Sequence, residues 1–354
     1  MLGKPPVELF VPGRLCLFGE HSDWAGGYRR DRTDIPAGLC VTVGTDQGIH
    51  ASARRAPGRV RLTSRLPDGG EQTLDEAADV ATLTRIAREG GFWCHAAGTA
   101  AELLATRPVD GLELTAHSMT LPLRKGLSSS AAVCVLIARA FGAVHGLEMD
   151  PRAEMELAYR GERRTPSRCG RMDQICAFGS IPCALTFDGD SLQVERVRTG
   201  ADLYLLIADL GAAKDTVRIL RELDAQFPDT AGAVAGGVRR GLGAENRRIG
   251  QAAVEAIERG DAAVLGALMT EAQAVFDRLV APGCPAELTA PRLHEALAHP
   301  ALDGLVWGGK GVGSQGDGAV QFLARGEAER TEARRVLARD LDLGTIELTV
   351  AATV

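Results

Sequence analysis

A glycine, three serines and an apolar helix follow one another in "LPLRKGLSSSAAVCVLIARAF", Leu121 to Phe141. The first turn of a helix leaves backbone N–H groups without partners and carries partial positive charge, and a glycine before it lets a phosphate come close. Hydroxyls there can also bind phosphate oxygens or a magnesium ion. A plain serine N-cap would account for one of Ser128, Ser129 and Ser130 but not for all three after Gly126, with Arg124 and Lys125 just upstream, so the stretch reads as a phosphate site. A second stretch, "GERRTPSRCGRMDQICAFG", holds Glu162 and, eleven residues on, Asp173. One carboxylate to hold magnesium and one to accept a hydroxyl proton would serve phosphoryl transfer, although helix-end glutamates and turn aspartates also occur for structural reasons. A third feature is "VPGRLCLFGEHSDWAGG", where Glu20, His21 and Asp23 leave the end of an apolar strand beside a pair of glycines.

Other patterns come close to known chemistry and fail. "VWGGKGVGSQGDGAVQFLA" contains six glycines, Gly308, Gly309, Gly311, Gly313, Gly316 and Gly318, which mark a backbone that turns tightly or approaches a ligand. "GLVWGGKG" has Walker A spacing but places Gly311 where a Ser or Thr should bind magnesium. "GVGSQG" satisfies G-x-G-x-x-G, yet a strand follows it and not a helix. In "HEALAH", His294 and His299 are five apart, off the shared face of a zinc helix, and read as solvated helix residues. The cysteines lack C-x-x-C pairs, and reduced buried thiols are the expected state.

The elements that must carry these residues are legible from periodicity. Strands are expected at "VELFVPGRLCLFG", "AGLCVTVGTDQGIHASARR", "RVRLTS" and "GLELTAHSM". Helices are expected from Phe92, from the serines to Gly146, and from Pro151, which suits a first helical turn. A hairpin around Gly189 precedes a second half that alternates strand and helix, with a long helical region from Ala231 to about Leu279. That alternation suggests a split βαβ, ferredoxin-like lobe. A chain of 354 residues is expected to form two lobes, set at 1–195 and 196–354. With 45% hydrophobic and 24% charged residues the chain is globular, and a net charge of −6 gives no reason to expect a nucleic acid partner. The charged, proline-bearing start and the lack of a long apolar run suggest a cytoplasmic protein without membrane contact. Monomer and homodimer both remain open.

Taken together and in this order, the three motifs resemble the GHMP kinase superfamily, named for galactokinase and the homoserine, mevalonate and phosphomevalonate kinases. "PGRLCLFGEHSDWAGG" looks like its first motif, "LPLRKGLSSSAA" like its second and "GGKGVGSQGDG" like its third. The resemblance implies an α+β fold of two lobes, the N-terminal one like ribosomal protein S5 domain 2 and the C-terminal one ferredoxin-like, with ATP and Mg2+ as cofactors. It implies that Lys125, Gly126, Leu127, Ser128, Ser129, Ser130 and Ala131 bind ATP, that Ser130 and Glu162 hold the metal, and that Asp173 is the catalytic base with Arg14 orienting the nucleophile. Glu20, His21 and Asp23 would line a sugar pocket, because the "SDWAGG" continuation is that of galactokinase-like enzymes and not of mevalonate kinase. Lys214 in "GAAKDTVRIL" would lie near the acceptor. Arg29, Arg30 and Arg32 form an inserted basic segment, either reaching an acidic substrate group or forming a solvated loop. The implied activity is phosphorylation of a sugar hydroxyl, the anomeric one first. Its alternatives are a mevalonate or other hydroxy-acid kinase and a non-catalytic ATP- or sugar-binding regulator.

Overall fold

The computed structural model describes residues 5–66, 69–121, 127–167 and 169–353. Its strands are β1 (Val7–Phe18), β2 (Gly38–Arg54), β3 (Arg59–Arg65), β4 (Glu71–Ala77), β5 (Leu112–Met119), β6 (Cys183–Asp188), β7 (Ser191–Arg196), β8 (Leu203–Asp209), β9 (Val306–Gly311), β10 (Ala319–Ala324) and β11 (Thr345–Val350). Its α-helices are α1 (Ser22–Ala25), α2 (Val80–Glu89), α3 (Cys94–Thr106), α4 (Ser129–His145), α5 (Pro151–Glu162), α6 (Thr216–Asp224), α7 (Ala233–Arg240), α8 (Asn246–Arg259), α9 (Ala262–Leu279), α10 (Pro285–Leu288), α11 (Pro291–Leu297) and α12 (Glu327–Leu341). Two packing units result, one of residues 1–14 and 44–180, the other of 15–43 and 181–354. The expected lobes follow the chain; the packing units do not, because 15–43 groups with the C-terminal segment.

In the first unit β3 pairs antiparallel with β4 and parallel with β5, and β5 pairs antiparallel with residues 49–54 of β2. Helices α3, α4 and α5 pack together. Their closest approach needs glycine on both sides: a Cβ at Gly98 of α3 would stand 2.5 Å from the Gly161 carbonyl oxygen, and one at Gly161 of α5 would stand 2.4 Å from Thr99 Cα. That backbone contact brings Glu162, the next residue, against α3. Asp150 caps α5 by accepting from Ala153 N at 2.7 Å, and Pro151 takes the first turn as its sequence position suggests.

In the second unit residues 38–42 of β2 pair with β6, which continues into the β6–β7 hairpin around Gly189. A separate antiparallel sheet has the order β11-β8-β10-β9. Counted from β8 this is 4-1-3-2 with helices in the first and last connections, the ferredoxin-like arrangement expected from sequence. Both faces of β8 are covered, so it reads as an unbroken apolar run; Leu206, Ala208, Val320 and Phe322 pack with Leu293, Ala333 and Leu337 from α11 and α12. A second cluster joins Ile219, Leu223, Phe227, Val238, Leu242 and Phe276 from the helical half to Ala25 and Ile35.

Two expectations are corrected, and the long helical region is present and resolves into separate helices. The glycine-rich stretch is not all turn: Gly308, Gly309 and Gly311 lie in β9, where bare backbone is needed because a Cβ at Gly308 would meet the Gly266 oxygen of α9 at 2.0 Å. Within that stretch only Gly313 and Gly316, at φ 66° and 72°, use glycine's left-handed freedom. The region 231–279 is three helices, interrupted by a π-turn at Gly241–Glu245 and a left-handed Gly260 at φ 69°. His299 falls beyond the end of α11, and both His294 and His299 are half-buried beside Asp277 and Asp340. No helix among the described residues is long and apolar enough to cross a membrane.

Candidate active site

Arg14, 4% exposed, is the last residue of β1 that belongs to the first unit. Gly13 before it packs with no room for a side chain: a Cβ would lie 2.4 Å from Leu121 Cδ2 and 2.8 Å from the Leu127 oxygen. The Arg14 backbone N–H donates to that same Leu127 oxygen at 3.1 Å, tying the strand to the segment that leads into α4. The Arg14 guanidinium pairs with Asp173, its Nε donating to Oδ1 at 3.1 Å and its Nη2 to the same oxygen. Asp173 opens a short 3-10 helix, Asp173–Phe178. Arg139 of α4 holds both strand and turn, donating to the Phe10 oxygen at 2.9 Å and the Ala177 oxygen at 2.8 Å, while Glu154 balances its charge.

Ser128 stands at the N-cap of α4 in a left-handed conformation, φ 54°, and its side chain does not cap the helix. The serine therefore is not there as an ordinary N-cap. Ser128, Ser129 and Ser130 are half-buried, and Leu127 and Ala131 are buried. Lys125 and Gly126 lie outside the described residues. Ser130 hydrogen-bonds the Glu162 carboxylate. Glu162 is 1% exposed, accepts from Gln174 Nε2 at 2.8 Å and from Ser167 Oγ at 3.4 Å, and lies 3.8 Å from His95 Nε2. Burial, with Asp173 nearby, pushes its pKa up to about 7 against the pull of those hydrogen bonds. Burial keeps the His95 imidazole below its ordinary value of 6.5. The unit thus brings together Arg14, Ser130, Glu162 and Asp173. Sequence reading did not find Gln174, Arg139 or His95; Gln174 adjoins Asp173 in "RMDQ", but a lone glutamine or arginine carries no signal of its own.

In the second unit Gly19, φ 93°, turns the chain off β1 where a Cβ would stand 2.1 Å from the Leu39 oxygen. Glu20 and His21 follow, 7% and 5% exposed. Glu20 forms an ion pair with Lys310, which is 2% exposed and also donates to the Gly311 oxygen at 2.9 Å. His21 is left-handed at φ 69°; its Nδ1 accepts from Trp24 Nε1 at 3.1 Å, and its ring stacks on Phe276 at 6.2 Å between centroids. The Trp24 bond leaves the proton on Nε2, which has no well-formed hydrogen bond although the Ser314 backbone is near enough to favour protonation. Burial dominates and pulls the His21 pKa down to about 4. Asp23 lies on α1, half-buried. Lys214 Nζ donates to the Gln315 oxygen at 2.8 Å. In sequence Lys310 carries no signal beyond a single cation among glycines. The basic segment is engaged by the protein itself: Arg29 with Asp188, Arg30 with Asp190, Arg32 with Asp34 and Asp229.

Residues 94–180 match the family described as GHMP kinases N terminal domain. The chain is similar to the mevalonate kinase of Aeropyrum pernix, 29% identical over 202 residues that cover 57% of this chain and 60% of the relative. It is similar as well to the galactokinase of Chloroflexus aurantiacus, 28% identical over 216 residues that cover 59% of this chain and 50% of the relative. It therefore spans between half and three-fifths of these curated relatives. Among solved structures, Lactococcus lactis galactokinase complexed with galactose shares the fold with a TM-score of 0.74 at 19% identity, over 99% of this chain and 94% of that one. Residues 94–180 thus match the GHMP kinase N-terminal domain, and the chain around them shares the fold of Lactococcus lactis galactokinase.

Proposed function

We propose that this protein is an ATP-dependent kinase that transfers the γ-phosphoryl group to a hydroxyl of a sugar or sugar derivative, the anomeric hydroxyl first. The observation that carries the reading is the Arg14–Asp173 pair set beside Glu162 and Ser130 at the uncapped start of α4. In this reading the first turn of α4 binds the triphosphate, with Lys125 to Ala131 around it. Asp173 accepts the hydroxyl proton, and Arg14 orients that carboxylate and stabilises charge on the transferring group. The oxygen donors Ser130 and Glu162 suit a divalent cation such as Mg2+, and the raised pKa of Glu162, deep in the protein with Asp173 nearby, is what such a cation would relieve. When bound, the cation supplies charge neutralisation at the phosphates. Glu20, His21, Asp23 and Lys214 are the proposed acceptor-binding residues; a carboxylate has several lone pairs, so Glu20 can serve Lys310 and a substrate hydroxyl together. The lobes are proposed to run 1–195 and 196–354.

Kinases acting on mevalonate or another hydroxy acid are the competing reading, since one relative is a mevalonate kinase. ADP release measured against aldoses, uronic acids, heptose phosphates, inositols and mevalonate separates the two, and turnover only with mevalonate overturns the sugar assignment. Any turnover excludes a purely regulatory protein. Asp173→Asn is expected to lower kcat by about two to four orders of magnitude with ATP affinity kept. Near-normal turnover in that variant means Asp173 is not the base.

A further inference from the structure

The turn that carries Glu20 and His21 is held in an unusual conformation, and its restraint comes from far along the chain. His21 adopts φ 69°, a region that costs a non-glycine residue of order 1 kcal/mol and persists only where its surroundings impose it. Ser22, wholly buried, accepts a hydrogen bond at 2.5 Å from Asn246 Nδ2, which also donates to the Leu39 oxygen at 3.0 Å. Asn246 is the first residue of α8, directly after the π-turn Gly241–Glu245. A π-turn adds a residue to the helix and rotates the turns beyond it, and such insertions cluster at functional sites. Glycines on either side let the helix approach: a Cβ at Gly243 would lie 3.3 Å from Pro36 and one at Gly250 3.0 Å from Leu39 Cδ2.

We propose that Asn246 is a positioning residue for acceptor recognition, clamping Ser22 and the Leu39 carbonyl so that Glu20 and His21 are presented in one fixed geometry. The inference rests on the kinase reading for the word acceptor, but not for the clamp itself. Its test uses the 354-residue chain, which has three tryptophans, Trp24, Trp93 and Trp307. Trp24 donates its indole N–H to His21, so its Nε1–H resonance reports the geometry of the turn. Asn246→Asp keeps the shape and removes the amide donors; Asn246→Ala removes both. Each is expected to move the Trp24 indole resonance, assigned with Trp24→Phe, while those of Trp93 and Trp307 stay in place. With the best acceptor, each should raise its KM about tenfold and leave the KM for ATP within twofold. An unmoved Trp24 resonance overturns the clamp; so does equal movement of all three resonances with a lowered melting temperature, which marks a merely structural residue. Equal rises in both KM values also overturn it. If the wild-type protein turns over no acceptor, the kinase reading falls and the indole resonances alone decide the clamp.

Discussion

Glu162 and His21 are both buried, and their pKa values move so that their effects on stability oppose each other. Folded Glu162 keeps its proton to about pH 7, whereas its ordinary value is 4.5, so the folded chain binds more protons between these values. Its contribution to stability is complete below about 4.5 and is lost as pH rises through about 7, a change on the order of 3 kcal/mol. His21 runs the other way: its ordinary value of 6.5 falls to about 4, so its contribution is present above 6.5 and lost as pH falls through about 4. Melting temperatures between pH 4 and 8 test this. Glu162→Gln is expected to remove the loss on the alkaline side of that range, and His21→Asn, which tolerates the left-handed backbone, the loss on the acid side. A variant curve parallel to the wild-type curve would show that the residue titrates normally. The residue types at these positions were legible in sequence; their burial was not, because it depends on what packs over them.

At the scale of elements, α4 and α5 were readable from local signals, Gly146 at φ 68° ending the one and Pro151 starting the other. β9 was not, since glycines have no strand pattern and the reason for Gly308 is the backbone of α9. β4 is polar and offered little apolar periodicity; α2 has Val80, Leu83, Ile86 and Ala87 at helical spacing, but neither element was expected. The same contrast yields opposite outcomes for two glycine substitutions. Gly308→Ala must displace backbone 2.0 Å from the new atom, and a loss of about 1–3 kcal/mol is expected in chemical denaturation. Gly236, exposed in α7 with nothing within 4 Å, should gain about 0.5–1 kcal/mol on mutation to Ala. An unchanged or raised stability in Gly308→Ala would show that the close α9–β9 approach does not require glycine there.

For the whole molecule, the discontinuity of the second unit sets what can be cut. Residues 38–42 of β2 pair with β6 at 183–187, and Ala25 and Ile35 belong to a core built from helices after residue 216. A fragment ending at Ser180 keeps 15–43 without those partners, so it should be insoluble or lack a cooperative melting transition; a soluble fragment with a sharp transition would contradict the grouping. Sequence by itself determined the chemistry on offer, the order of the three motifs and most strands and helices, because periodicity, caps and turn residues act between neighbours in the chain. Tertiary structure decided which of those residues meet: Arg14 reaches Asp173 across 159 positions and Glu20 reaches Lys310 across 290. Pairings so distant are set by how sheets and helices pack, a property of the folded whole that no local pattern contains.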